Sequence, residues 1–263
     1  MRWPGRALAL LLAVILILFQ AEQAAGGALE RAMLGKSQIV DLTHPVAEPA
    51  SLPAGQERAR PGALGEGEAS SSPQRLPSSA ELGTHLFLPA IVLKGKPTVA
   101  TMPPRDLLAQ AVVVDIVAKA AALAEYRVTP EDFQAWERRH GRIPKGSVVL
   151  VHTGWGRRWN DPARYMNLDA QGVARVPWIS TAAATFLVGG REIRGVGLDS
   201  YVPEGMTGQG GADATRQLLH AGKWQLANLA NLDRLPPKGA KLVVAPLRLD
   251  AGSAPVRVIA ILP

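Results

Sequence analysis

The sequence contains no cysteine among its 263 residues. This absence excludes disulfide bonds, cysteine-based zinc sites, thiol nucleophiles and lipid attachment to a cysteine. Any metal ion therefore needs ligands from histidine and carboxylate side chains. An oxidising compartment is not excluded, because the absence means only that the fold does not depend on crosslinks.

Aromatic residues and clustered charge are also scarce. Phe, Trp and Tyr make up 5% of the chain, and the formal charge of +7 comes from scattered lysines and arginines. The nearest approaches to a basic cluster are Arg138-Arg139 and Arg157-Arg158. A nucleic-acid surface requires a continuous basic stripe with stacking aromatic side chains. We therefore expect no nucleic-acid partner.

The first 26 residues have the features of a secretory signal peptide. Arg2 and Arg6 precede an apolar run from Ala7 to Phe19, and small residues end the segment at Gly26. This run is shorter than the roughly 20 apolar residues that a membrane-spanning helix needs. We expect export to a periplasmic or extracellular location and no stable membrane anchor after cleavage. Retention of the segment as an anchor is the alternative.

The rest of the chain predicts a short linker over residues 27–37 and one domain over residues 38–263. Within that domain, residues 45–80 are rich in Pro, Gly and Ser and contain no Phe, Trp or Tyr. Such a composition buries too little apolar area to offset the entropy of ordering. We therefore expect a mobile loop over residues 45–80.

Strand and helix patterns alternate along the domain, which predicts the α/β class. Two helices have clear signals: one begins after Thr129 and ends before Gly141, and one is capped by Ser180 and stops at Gly189-Gly190. Runs rich in apolar and β-branched residues predict strands at residues 38–44, 112–115, 147–153, 195–200, 241–246 and 256–262.

One stretch carries a recognisable motif. Residues 81–91 read Glu-Leu-Gly-Thr-His-Leu-Phe-Leu-Pro-Ala-Ile. The frame Gly83-Thr84-His85 followed by Pro89 resembles the signature His-x-Gly-Thr-His-x-Asp-x-Pro-x-His of the cyclase family, the metal-dependent hydrolases that include bacterial kynurenine formamidase. This resemblance implies a single domain of the swivelling β/β/α type, with a mixed sheet and flanking helices.

Further segments resemble the same family. Residues 41–45 resemble its Asp-Leu-Ser-His-Pro opening, residues 149–155 its Val-Leu-x-x-Thr-Gly-Trp strand, and residues 195–200 its Gly-x-Gly-x-Asp-Thr segment. Residues 215–237 resemble its His-x-x-Leu-Leu-x-x-Gly and Glu-Asn-Leu-x-Asn-Leu-x-x-Leu-Pro-Pro blocks. The resemblance thus extends over roughly residues 38–263.

The resemblance also implies where the chemistry lies. Family members use a divalent metal to activate water against an amide or ester carbonyl. Five of the six chemically active positions are substituted, and only His85 is an unchanged ligand. Glu81 stands for a ligand His and is a weak substitute, and Ile91 stands for the proton shuttle. Phe87, Thr215 and Ala227 stand for the remaining Asp, His and Glu ligands.

Two ligands hold metal weakly, so we expect no high-affinity cofactor, and zinc or manganese only if other residues complete the site. The candidate pocket residues are Glu81, His85, His44, His152, Trp155 and Asp199. A rescue would bring His44, His152, Asp199 or His220 to Glu81 and His85. His44 and His152 have a second interpretation as hydrogen-bonded structural residues.

Two functions follow from these residues. The first is an exported, arylformamidase-like member of the family whose metal centre is remodelled, so that its activity is altered or lost. The second is a non-catalytic relative that binds a small molecule or partner in the old pocket. Whether the chain is an enzyme therefore stays open at this point. Because family members commonly associate, we also expect a homo-oligomer.

Overall fold

The computed structural model describes residues 27–45, 83–201 and 211–263. The predicted signal peptide, Glu81 and almost all of the predicted loop lie outside these ranges. The predicted linker includes a helix, α1, over residues 27–33. Within the described part of the chain, no helix is long and apolar enough to cross a membrane.

The remaining elements alternate as the sequence predicts. The strands are β1 (Ile39–Asp41), β2 (His85–Phe87), β3 (Leu108–Asp115), β4 (Arg127–Val128), β5 (Val148–His152), β6 (Trp178–Ile179), β7 (Gly195–Leu198), β8 (Trp224–Ala227), β9 (Lys238–Pro246) and β10 (Ser253–Ile261). The helices are α2 (Val117–Ala122), α3 (Pro130–His140), α4 (Pro162–Met166), α5 (Thr181–Arg191) and α6 (Gly211–His220). Short 3-10 helices cover Pro89–Ile91, Pro104–Leu107, Trp155–Arg158 and Leu232–Arg234.

The main sheet curves into a barrel. Its strand order is β1-β10-β2-β8-β7-β5-β3-β9, and β9 also pairs with β10, which closes the sheet. Strands β3, β5, β7 and β8 run parallel, whereas the remaining pairs are antiparallel. This mixed sheet with flanking helices confirms the predicted fold class.

Alternating side chains divide the core into two layers, as expected for strands with period 2. On β8, Trp224 and Leu226 belong to the apolar cluster inside the barrel, whereas Ala227 belongs to the cluster between the sheet and the helices. The interior is tightly packed. A Cβ atom at Gly197 would lie 2.8 Å from Leu150 and 2.7 Å from Leu229. Glycine is therefore required at this position for the strands to approach.

The ends of helices α3 and α5 can be compared with the ends that the capping residues predict. Helix α3 begins with a capping box between Thr129 and Asp132, and Gly141 ends it, as predicted. Helix α5 begins at its Ser180 cap as predicted, but the predicted stop at Gly189-Gly190 is wrong. The helix continues to Arg191, whose guanidinium bonds both carboxylate oxygens of Glu137 at 2.7 and 2.8 Å. This ion pair helps to offset the roughly 1 kcal/mol that each helical glycine costs.

Candidate functional site

The family-like motif forms β2, which pairs with β8 on the helix-covered side of the barrel. In this register His85 lies opposite Ala227, and Phe87 lies opposite Gln225. Helix α6 packs over β8, and Gln225 Nε2 donates to the Thr215 carbonyl at 3.0 Å. Phe87 and Ala227 therefore lie beside His85, and Thr215 lies on the helix that covers this part of the sheet. We call this group of residues, together with Gln225, the β2–β8 centre.

His85 is buried and electrically neutral. Its Nδ1 lies 2.8 Å from the Gly83 carbonyl oxygen, to which it donates. Burial lowers the pKa of His85 to about 4, against the opposing effect of the Gly83 carbonyl. The edge-on contact with Phe87 has a centroid distance of 4.7 Å. Among the described residues, no group bonds His85 Nε2. An oriented imidazole with one free nitrogen is the arrangement of a metal-ligating histidine.

The neighbours of His85 do not fit a metal ion. Phe87 and Ala227 belong to the buried apolar cluster, and Ile91 packs against the same cluster. Thr215 Oγ1 and Gln225 Oε1 are buried without a hydrogen-bond partner among the described residues. Neither is a charged ligand that would neutralise a divalent ion. Across the described ranges, no three His, Asp or Glu side chains group together as metal ligands do.

The residues considered for a rescue gather elsewhere. His44, His152 and Asp199 line a polar cavity of about 270 Å³, whose described lining does not include His85. His220 lies exposed in the last turn of α6. Glu81 lies outside the described residues. The structure therefore brings three candidates together with one another but not with His85.

This cavity, which we call the strand-end cavity, lies at the carboxyl ends of parallel strands. His152 ends β5, Asp199 follows β7, and the segment Leu229–Asp233 follows β8. Ligands of α/β proteins bind preferentially outside the carboxyl ends of parallel strands. The position of the cavity is therefore typical of a binding site.

Asp199 forms the floor of the strand-end cavity and holds the turn after β5. Its Oδ1 accepts hydrogen bonds from the Thr153 backbone N–H at 2.9 Å and the Thr153 hydroxyl at 2.6 Å. Its Oδ2 accepts from the Gly154 N–H at 2.9 Å. Burial raises the pKa of Asp199, and the bonds from Thr153 oppose that shift. Two of the family-like segments, Thr-Gly-Trp at residues 153–155 and Gly-x-Gly-x-Asp at residues 195–199, are thus parts of one structural unit.

The two histidines of the cavity are held in different ways. His44 stacks on Trp159 with a centroid distance of 4.3 Å and an interplanar angle of 9°. Burial lowers the pKa of His44 to about 4, against the effect of the Leu229 carbonyl, so this ring is neutral at pH 7. His152 Nδ1 lies 3.1 Å from Oδ2 of Asp115, the residue that ends β3. Because an ionised carboxylate only accepts hydrogen bonds, Nδ1 donates.

Trp155, a candidate pocket residue, lies in a separate aromatic cluster with Trp159 and Tyr165. Its ring is 1% exposed, and its Nε1 donates to the Tyr165 carbonyl at 2.8 Å. Arg158 covers the ring, with its guanidinium carbon 3.7 Å from the ring centroid. Trp155 therefore supports the wall near the cavity rather than lining it.

Sequence reasoning missed Asp115, Arg157 and Asp233. Arg157 and Asp233 line the strand-end cavity and face one another at 3.5 Å, and Asp115 holds His152. A signal was present for Asp115, because a charged residue ends a β-branched run there and the carboxyl ends of parallel strands meet at one edge. Arg157 and Asp233 could be recognised as cavity residues only once the pairing of β5, β7 and β8 was known.

Comparisons with known proteins match this architecture. A model of the cyclase family matches residues 40–204. The chain belongs to the cyclase family. It is 33% identical over 192 residues to the isatin hydrolase of Roseibium aggregatum, covering 69% of this chain and 71% of that relative. The structure of isatin hydrolase A from Ralstonia solanacearum has 29% identity and a TM-score of 0.75, covering 89% of this chain and 95% of that one.

Isatin hydrolase A from Labrenzia aggregata, bound to benzyl benzoate, has the same TM-score of 0.75 and 30% identity. The match covers 91% of this chain and 99% of that one. The likeness thus extends over nearly the whole fold, including the strands that carry the β2–β8 centre.

Proposed function

We propose that this protein is an exported cyclase-family member in which the hydrolytic metal centre has been replaced by an apolar contact. In this proposal the fold serves to bind a small molecule. The relatives named above are isatin hydrolases, and in this proposal their hydrolytic activity is the one that the chain has lost.

One observation supports the proposal most strongly. The side chains of Phe87 and Ala227 are packed into the apolar cluster beside His85. A metal that activates water needs at least three protein ligands and an open coordination position. At the β2–β8 centre, one neutral imidazole lies edge-on to a phenyl ring and opposite an alanine, and the position of the third family ligand carries only a hydroxyl group. This set supplies neither the charge nor the number of ligands that the reaction requires.

A second candidate function is hydrolysis at a remodelled centre. It is favoured by the free His85 Nε2, which is oriented as a ligand would be, and by the buried Thr215 hydroxyl nearby. In this alternative Glu81 supplies a carboxylate to the same ion. The two candidates differ in whether any metal-dependent turnover survives.

Isatin hydrolysis in the presence of Mn²⁺ or Zn²⁺ distinguishes the two candidates. The proposal predicts a rate equal to that of a matched His85→Ala variant and of buffer with the same metal. Metal-dependent turnover by the wild-type chain, lost in His85→Ala, would support the remodelled hydrolase and overturn the proposal.

A restored variant provides the positive control for the same assay. It combines five changes that rebuild the family pattern: Glu81→His, Phe87→Asp, Ile91→His, Thr215→His and Ala227→Glu. Because β2 and β8 pair with His85 opposite Ala227, the variant should gain Mn²⁺ binding. A folded variant that binds no divalent ion would show that the surrounding backbone has also diverged.

A further inference from the structure

The strand-end cavity has features of a binding site that the β2–β8 centre lacks. It is a concave space of about 270 Å³ lined largely by polar groups and open at one side. Its floor is rigid, because Asp199 fixes the turn at Thr153 and Gly154 with three hydrogen bonds. A pre-formed polar cavity binds small ligands without a large ordering cost.

Opposite charges lie at the rim of this cavity. Arg157 Nη2 is 3.5 Å from Asp233 Oδ2, and the two side chains are 68% and 48% exposed. Such a long, exposed ion pair contributes little stability, so both groups remain available to a ligand. A guanidinium binds a carboxylate through parallel hydrogen bonds, and a carboxylate binds an ammonium group. The rim therefore matches a molecule that carries both charges.

His152 adds a directed acceptor beside this charge pair. Its Nδ1 is held by Asp115, which lies outside the cavity lining, so Nε2 is the ring nitrogen left to serve the cavity. With the proton on Nδ1 directed at Asp115, a lone pair on Nε2 can accept a hydrogen bond. Asp199 does not compete for the ligand, because Thr153 and Gly154 already donate to its oxygens.

An apolar groove continues from the cavity. The two spaces share Thr43 and His44, and the groove, of about 420 Å³, is walled by Pro246, Leu247 and Val256. Leu247 is 55% exposed. A ligand whose charged end occupies the cavity can thus place an apolar group over this wall and remove it from water.

We propose that the strand-end cavity binds a zwitterionic α-amino acid with an aliphatic side chain. The carboxylate of the ligand pairs with Arg157, and its ammonium group lies between Asp233 and His152 Nε2. The aliphatic side chain extends past His44 into the groove. This inference rests on the binding role proposed above, but not on the loss of the metal centre.

Calorimetric titration with L-leucine in the presence of EDTA tests the inference, because removal of metal separates it from the question of hydrolysis. Three analogues each lack one recognised feature. 2-Hydroxy-4-methylpentanoate lacks the ammonium group, 3-methylbutylamine lacks the carboxylate, and glycine lacks the aliphatic chain. Each should bind at least about tenfold more weakly than leucine, a factor that corresponds to about 1.4 kcal/mol.

Matched variants locate the site. Arg157→Gln should weaken leucine binding at least about tenfold and should not weaken the binding of 3-methylbutylamine, because that probe has no carboxylate. Arg158→Gln is the control, since Arg158 covers the Trp155 ring and is not part of the cavity lining. Two results would overturn the inference. One is the absence of leucine binding at a millimolar leucine concentration tenfold above that of the protein. The other is equal leucine affinity in wild type and Arg157→Gln.

Discussion

The β2–β8 centre and the strand-end cavity are two polar regions of one barrel, and they differ in what their polar atoms do. In the strand-end cavity, both Asp199 oxygens accept hydrogen bonds from the turn after β5, although His44 Nε2 there has no partner among the described residues. In the β2–β8 centre, His85 Nε2 and Thr215 Oγ1 have no partner among the described residues. Polar residues of the strand-end cavity thus hold the backbone, whereas the residues Phe87, Ile91 and Ala227 at the other centre are apolar.

This difference has an energetic reason. A buried polar group without a partner costs about 1 to 3 kcal/mol, whereas an apolar side chain in the same place is favourable. In the proposed function, metal ligation does not constrain positions 87 and 227, and packing then favours apolar residues there. Asp199 has no such freedom, because its removal would leave the donors of Thr153 and Gly154 unpaired. Adding a carboxylate should therefore lower the stability at the β2–β8 centre, whereas removing one should lower it at the strand-end cavity.

The largest effect is expected from returning a carboxylate to the β2–β8 centre. Phe87→Asp removes a phenyl ring from the apolar cluster and buries a charge beside a neutral imidazole. We expect a loss of about 5 kcal/mol in the free energy of unfolding, or failure to fold. Urea denaturation measures the free energy of unfolding. The control Phe87→Leu should lower it by only about 1 kcal/mol. If added Zn²⁺ restored the stability of Phe87→Asp fully, the β2–β8 centre would be a metal site, and the proposed difference between the two regions would be wrong.

Removing the carboxylate from the strand-end cavity should have the next largest effect. Asp199→Ala leaves the Thr153 N–H, the Thr153 hydroxyl and the Gly154 N–H without their acceptor. We expect a loss of about 3 to 5 kcal/mol in the free energy of unfolding. Asp233→Ala, at the exposed rim of the same cavity, is the control and should change it by at most about 0.5 kcal/mol. Equal effects of the two variants would show that Asp199 does not hold the turn.

Acid should act on His85 because its pKa of about 4 in the folded chain lies below the ordinary value of 6.5. The unfolded state therefore takes up the proton first as the pH falls. The stability is fully present above about pH 6.5 and is lost as the pH falls through the pKa of the folded state. We expect His85 to account for about 2 kcal/mol of the stability lost between pH 7 and pH 5.

The measurement is the pH dependence of unfolding in His85→Gln, whose slope should be shallower than in wild type whatever its absolute stability. His220→Gln, which replaces an exposed histidine, is the control. A wild-type slope in His85→Gln would show that the imidazole is not neutral and buried in solution. His44, with a pKa of about 4 as well, should supply part of the remaining slope.

The smallest predicted effect has the opposite sign. Thr215→Val replaces a buried hydroxyl, unpartnered among the described residues, by a methyl group of the same shape. We expect the free energy of unfolding, measured by thermal unfolding, to increase by about 1 kcal/mol. Thr84→Val is the matched control, because Thr84 Oγ1 donates to the Asn228 carbonyl at 2.6 Å and accepts from His44 N–H at 3.0 Å. Loss of the Thr84 hydroxyl should lower the free energy of unfolding by about 2 kcal/mol. Destabilisation by Thr215→Val would mean that the hydroxyl has a partner.

Sequence patterns predicted most individual strands but not the way in which the barrel closes. The run Val148–His152 and the Thr129 capping box are local signals, and each forms the expected element. Closure depends on β9 pairing with β3 near its start and with β10 near its end. Pairing between strands distant in sequence has no local signal. The Gly189-Gly190 stop failed for the same reason, because the contact between Arg191 and Glu137 is not local.

The β2–β8 centre was more predictable than the strand-end cavity. The family resemblance implied that His85, Phe87, Thr215 and Ala227 would share one site, and the register of β2 and β8 brings His85, Phe87 and Ala227 together. Arg157 and Asp233 belong to no motif. They meet only because the loops after β5 and β8 converge at one edge of the sheet. A site assembled from separate strand ends requires the topology before it can be recognised.

The central claim is that the β2–β8 centre no longer holds a metal ion. The most direct test is the metal content of protein purified without chelator and measured by inductively coupled plasma mass spectrometry. We predict far less than one equivalent of zinc or manganese per chain, and the same value in His85→Ala. Near-stoichiometric zinc or manganese in the wild-type protein, lost in His85→Ala or Glu81→Ala, would contradict the account.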